Sequence, residues 1–289
     1  MFNPSPRPLA ELPVRRLTRG DLVSCADLAE DRGWPREEHR WGLLLSAGAG
    51  YGIDDPEDKG LAAVCVLTSY GPRLAAIGTM LVAGRYGRQG VARRLMRHVI
   101  DAAEGAPLSL YATAQGKPLY EGLGFDVLGR CDRLSGFFRP TVESFAVTTR
   151  SATAEDLHAI LRLDAEVFGA DRTHVLARLP AFADHLHIAE KGGELVGYAA
   201  AWPSTEFHTV GPVVAGNPKT AKALITSLAA VSNRPLRIDI DARHEELTSW
   251  LVEHGMTQGS GTALMAYQSP RGLPGDWTRR FAPLTIAMG

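Results

Sequence analysis

The chain has 289 residues, 45% hydrophobic and 22% charged, with a formal net charge of −1, the profile of an ordinary globular protein with no electrostatic reason to expect nucleic acid or a membrane surface. Mean hydropathy is −0.07, no apolar run approaches bilayer length, and the Pro-rich start "MFNPSPRPLAELPVRRL" lacks a signal core, so a cytoplasmic location is expected. Cys25, Cys65 and Cys131 are odd in number and widely spaced, reading as buried thiols with no disulfide framework and no metal.

The length predicts two domains of roughly 140 residues. Residues 1–13, with prolines at 4, 6, 8 and 13, read as an extended arm. Thr18 is an N-cap for a helix with Leu22, Cys25, Leu28 and Ala29 at helical spacing. A second helix is predicted over "PREEHRWGLLLSAG", opening at Pro35. Strands follow in "AGYGI", "GLAAVCVLTSY" and "RLAAIGTMLVA". "GVARRLMRHVIDAAEG" is an amphipathic helix with Val91, Leu95, Val99 and Ala102 on one face. "LSLYAT" is a strand, "GKPLYEGLG" a short helix and "FDVLGRCDRLSGFF" a closing strand.

The remainder repeats this order. "RRLTRGDL" from Arg15 returns as "RSATAEDL" from Arg150, and "LVAG" ending at Gly84 returns as "VVAG" ending at Gly216. Such self-similarity predicts two copies of one α+β unit. The seam falls near Phe145–Thr149, giving units over 14–146 and 147–289. His185 and His187 are read as strand residues whose imidazoles point apart.

The two copies differ where chemistry is expected. In the first, Gly84, Gly87 and Gly90 relax a loop that enters a helix at Val91, with Arg85, Arg88, Arg93 and Arg94 around it. Backbone N–H groups and the dipole of a helix N-terminus converge there on one point, the make-up of a diphosphate seat. The other reading is a plain turn with solvated arginines. Downstream, "YATAQGKPLYEGLGF" carries Tyr120. In the second copy the loop shrinks to "GNPKTAKAL", and Leu251 stands opposite Tyr120 when Gly255 is set against Gly124.

With these motifs the chain resembles the GNAT acyltransferase superfamily, as a tandem pair with a degenerate second half. The family's loop, Gln/Arg-x-x-Gly-x-Gly/Ala, falls on Gly87, Arg88, Gln89, Gly90, Val91 and Ala92, departing at Gly87. The resemblance implies a mixed, mostly antiparallel sheet flanked by helices, with strand splay at the acyl-CoA site. It implies acetyl-CoA, or another acyl-CoA, as cosubstrate and transfer to a small-molecule or peptide amine. By the same resemblance Met80, Leu81 and Val82 line the pantetheine arm, and Tyr120 protonates the leaving thiolate. Thr113 takes the place of a frequent Asn. Arg93, or its neighbour Arg94, reads as a phosphate contact or as part of a solvated helix face. No acid lies on the strand before the loop; Asp54, Asp55, His39 or a residue from the second half are alternatives for a base, as is an acceptor that needs none. Acceptor groups are expected from Trp34, Glu37 and Trp41, the two tryptophans serving equally as core anchors, and from Asp171, which also reads as a helix cap. The second half is expected to wall the acceptor cleft or to dimerise. The alternative function is a non-catalytic acyl-CoA-binding regulatory protein.

Overall fold

Each half opens with the same clasp. Thr18 and Asp21 form a reciprocal capping box, and Thr153 and Asp156 form its counterpart. Arg15 then binds Asp21 and Asp54, while Arg150 binds Asp156 and Glu190. In this computed structural model residues 8–141 and 143–289 are described.

The first half runs β1 (Arg15–Arg16), α1 (Leu22–Asp31), α2 (Glu38–Ala47), β2 (Ala49–Asp54), β3 (Leu61–Ser69), β4 (Ala75–Val82), α3 (Val91–Ala102), β5 (Leu108–Ala112), α4 (Lys117–Glu121) and β6 (Asp126–Gly136). The second runs β7 (Thr148–Ser151), α5 (Leu157–Phe168), α6 (Thr173–Leu176), α7 (Leu179–Phe182), β8 (His185–Lys191), β9 (Glu194–Pro203) and β10 (His208–Ala215). It continues with α8 (Pro218–Val231), β11 (Leu236–Asp241), α9 (Glu245–Glu253), β12 (Thr257–Gln258), β13 (Thr262–Tyr267) and β14 (Arg280–Ala282).

All strands join one sheet in the order β1-β2-β3-β4-β5-β13-β6-β11-β10-β9-β8-β7, with β12 beside β6 and β14 beside β10. The pairs β4–β5 and β10–β11 are parallel. The order is a palindrome of the two copies, and its centre is an exchange. β13 of the second half inserts between β5 and β6 of the first, and β6 inserts between β13 and β11. Each half therefore receives a central strand from the other. Met265 of β13 is fully buried in the α3–α4 cluster, and Leu134 of β6 in the α8–α9 cluster. On the opposite, inner face, α1, α2 and α5–α7 share one apolar layer across both halves.

Three local expectations are corrected. The first seven residues of the arm lie outside the described residues, but residues 9–12 form a turn, not an extended run. Leu9 and Leu12 pack against the α3–α4 cluster, which gives the turn its apolar reason. The second helix starts at Glu38, beyond Pro35. His185 and His187 are two residues apart and so share a strand face; their rings lie 6.4 Å apart, with His208 5.5 Å from His185. Ser227 hydrogen-bonds His187, and Ser232 and Asp184 hydrogen-bond His208. Among the described residues no group of three or more His, Cys, Asp or Glu side chains is placed to hold a metal ion.

Candidate active site

β4 keeps β3 beside it to its end but touches β5 only at Ala75, Ala76 and Ile77. Its register with β3 slips between Gly78, opposite Val66, and Leu81, opposite Val64. That bulge turns Thr79 to φ +50° and bends the strand away from β5. Met80, Leu81 and Val82 thus present, on the side away from β3, an edge with no strand next to it among the described residues.

The loop after β4 is held from below. Asp31 at the end of α1 accepts from the Gly84 N–H at 2.8 Å. Asp55 pairs with Arg85; burial alone would raise its carboxyl, but hydrogen bonds from Arg85 and the Glu57 N–H outweigh this and hold it below the usual range. Arg88 and Gly90 take φ values of +62° and +80°. Nothing lies within 4 Å of where a Gly90 Cβ would stand, so backbone angle alone asks for glycine. From Arg88 to Arg93 no backbone N–H has a partner among the described residues; the first helical bond is Arg94 N–H to Gly90 O, 3.0 Å. These donors and the positive end of α3 favour an anion. A cavity of about 310 Å³ adjoins them, lined by Pro8, Leu9, Ala10, Gln89, Gly90, Val91 and Arg94.

Tyr120 lies on α4, where the Gly124 turn (φ +91°) folds Phe125 back edge-on to its ring at 6.0 Å. The side chain is buried, and burial raises its phenol well above the ordinary value, so it is fully protonated at neutral pH. Thr113 Oγ1 accepts from the Gly116 N–H at 3.2 Å and keeps its own O–H to donate.

Other predicted residues fall elsewhere. Arg93 donates to Gly122 O at 3.1 Å, tying α3 to α4. Trp41 is fully buried in the inner apolar layer and packs as core; Trp34 borders that layer, half-buried. Asp171 is exposed and stands just before α6, whose N-cap is Arg172; it accepts from Thr173 N–H at 2.8 Å, and the Thr173 hydroxyl and N–H together lower its carboxyl pKa. The three first-half alternatives for a base are all engaged: His39 with Phe182 O at 2.7 Å, Asp54 with Arg15, and Asp55 with Arg85. Glu37, at φ +27°, is N-cap of α2; its side chain is 5% exposed and lies 2.8 Å from Arg40.

In the second copy the same bulge recurs, between Val210 and Val213, and β10 likewise leaves β11 after Val210. There, however, the position matching Met80 is Pro212, which has no N–H. β14 occupies the edge at Val213 and Val214, the edge that is open in the first copy. Asn217 caps α8 with its own side chain, accepting from Thr220 N–H at 3.0 Å. Beyond β14 the chain crosses the inner face: Trp202 donates to Leu284 O at 3.1 Å, Tyr70 to Met288 O, and Ala287 covers Gly78. For residues 269–289 the sequence predicts a place in the second unit but no element. The available signal was the short apolar run "FAPL" from Phe281 to Leu284.

Comparison with known proteins agrees on both halves. Profiles described as an acetyltransferase (GNAT) family and an acetyltransferase (GNAT) domain match residues 18–125 and 160–282. An uncharacterized N-acetyltransferase of Bacillus subtilis, YitH, is 30% identical over 245 residues, covering 83% of this chain and 86% of its own. A putative acetyltransferase from Pyrococcus horikoshii superposes with a TM-score of 0.82 at 19% identity, covering 100% of this chain and 98% of its own. A tandem GNAT protein from the clavulanic acid biosynthesis pathway superposes with a TM-score of 0.62 at 14% identity, covering 91% of this chain and 100% of its own. No helix among the described residues is long and apolar enough to cross a membrane.

Proposed function

Because the chain belongs to the GNAT N-acetyltransferase family, we propose that it moves an acetyl group from acetyl-CoA to an amine by direct attack, with the machinery in its first half. One observation carries this reading. The unpaired N–H run at α3 lies at the end of the open β4 edge in the first copy, and both features are closed in the second.

Acetyl-CoA supplies the thioester and its thiolate leaving group. The backbone of Gly87–Ala92 and the exposed guanidinium of Arg88 hold the diphosphate. The free edge at Met80–Val82 aligns the pantetheine arm as a neighbouring strand would. Tyr120, protonated at neutral pH, gives its proton to the thiolate. With His39, Asp54 and Asp55 engaged, the amine arrives as its free base.

The test is thiol release from acetyl-CoA with a panel of amines. Tyr120→Phe is expected to lower kcat by about a hundredfold, with acetyl-CoA binding nearly unchanged. Acetyl-CoA that binds without any amine being acylated would leave a binding module in place of an enzyme.

A further inference from the structure

The inner face holds a charged seam that neither the loop nor Tyr120 explains. From Asp31, anchored at the mouth of the loop through Gly84, the chain runs to Glu37, and the first turn of α2 brings in Arg40. The partners come from the exchanged sheet. On β11, Leu236, Ile238 and Ile240 belong to the α8–α9 cluster, so Arg237 and Asp239 face the inner side. Register sets Arg133 opposite Asp239 and Thr209 opposite Arg237. Arg133, Arg237 and Asp239 all lie within electrostatic reach of Arg40.

The charges in this seam do not balance. Asp239 is shared by Arg133 at 2.9 Å and Arg237 at 3.3 Å. Glu37 serves Arg40, whose Nε is 2.8 Å away but whose N–H points off the line, so no hydrogen bond forms. Three guanidiniums thus meet two carboxylates. Arg40 is 7% exposed, and burial pushes its guanidinium pKa down. The Nε of Arg40, the Nε of Arg237 and the Oγ1 of Thr209 are sealed from solvent with no partner among the described residues. Unpartnered donors beside a surplus charge are costly and are uncommon in a protein interior. The left-handed backbone of Glu37 adds strain of the kind that collects at ligand clamps. Arg133, 32% exposed, leaves the seam reachable from solvent.

What the seam lacks is one negative charge with several acceptor oxygens. We propose that the acceptor is an amine bearing an anionic group, a carboxylate or a phosphate, held by Arg40 and Arg237 between the two halves. The inference rests on the acyl-transfer reading and names its substrate class. The second half thereby takes part in the reaction, contributing Arg237 and Asp239 while the acyl donor binds in the first.

The test uses the full chain and matched ligands: amino acids, their amides, the amines lacking the carboxylate, and aminoalkyl phosphates. Calorimetry with the N-acetylated form of each needs no turnover, and thiol-release assays with the free amines follow. The anionic member of each set is expected to bind and react about tenfold or more better than its neutral match, the factor supplied by one charge-assisted hydrogen bond. The carboxylate and phosphate arms show which group is read. Arg237→Met and Arg40→Met are expected to erase that ratio, Arg237→Lys to restore part of it, and acetyl-CoA binding to persist. Equal responses to charged and neutral members, including none to either, overturn the proposal. So does a ratio unchanged in the Met variants, the outcome if these arginines only fasten α2 to the sheet. A binding preference without turnover would instead keep the anion site and refute the enzyme.

Discussion

Gly90 and Gly78 lack side chains for opposite reasons, and substitution separates them. At Gly90 a Cβ meets open space but the backbone is left-handed, so Ala costs about 1 kcal/mol of strain or relaxes the loop. Gly90→Ala is expected to weaken acetyl-CoA binding about tenfold in calorimetry and to move the Tm little. At Gly78 a Cβ would stand 2.3 Å from the Ala287 carbonyl oxygen, and backbone must shift to admit it. Gly78→Ala is expected to destabilise by about 1–3 kcal/mol, read as a lowered Tm. The sequence made the first case legible, because glycine before a helix with arginines around it is a local pattern. It hid the second, since nothing near Gly78 speaks of residue 287. Arg93 and Trp41 were ambiguous for the same reason: a side chain's partner, Gly122 O or the inner layer, is fixed by tertiary placement.

At the scale of elements, the recurring bulge shows that the splay belongs to the fold and survives the loss of the loop. The second copy keeps the bend at Gly211 and Pro212, and the chain fills it with its own β14. Calorimetric titration is therefore expected to give one acetyl-CoA per chain, and two equivalent sites would refute the closure by β14. The repeat, the Thr18 cap and the paired glycines Gly124 and Gly255 could be read from residue patterns, whereas the reciprocal bonds that make each cap a box appear only in the structure. Strand pairing could not. β6 and β13 carry ordinary alternation, and alternation states which face a residue takes, not which strand lies beside it. β14 is only three residues long, too short for a period to show.

At the scale of the molecule, the exchange makes each half depend on the other for a buried strand. Residues 14–146 alone would leave β5 and β6 with a vacant slot and the α3–α4 cluster without Met265. Residues 147–289 alone would lose Leu134 and the strand beside β11. The whole chain is expected to melt in one cooperative transition, and neither half alone to show one by calorimetry or near-ultraviolet circular dichroism. A cooperative melt from either half would mean that the borrowed strand is dispensable. The same topology bears on synthesis. β6 leaves the ribosome about 125 residues ahead of β13, roughly 6–25 s at ordinary translation rates. Throughout that interval the nascent first half exposes two unpaired strand edges, the kind of surface that neighbouring chains adhere to. If the acyl donor binds as proposed, its site, though built wholly from early residues, is thereby timed to the end of translation.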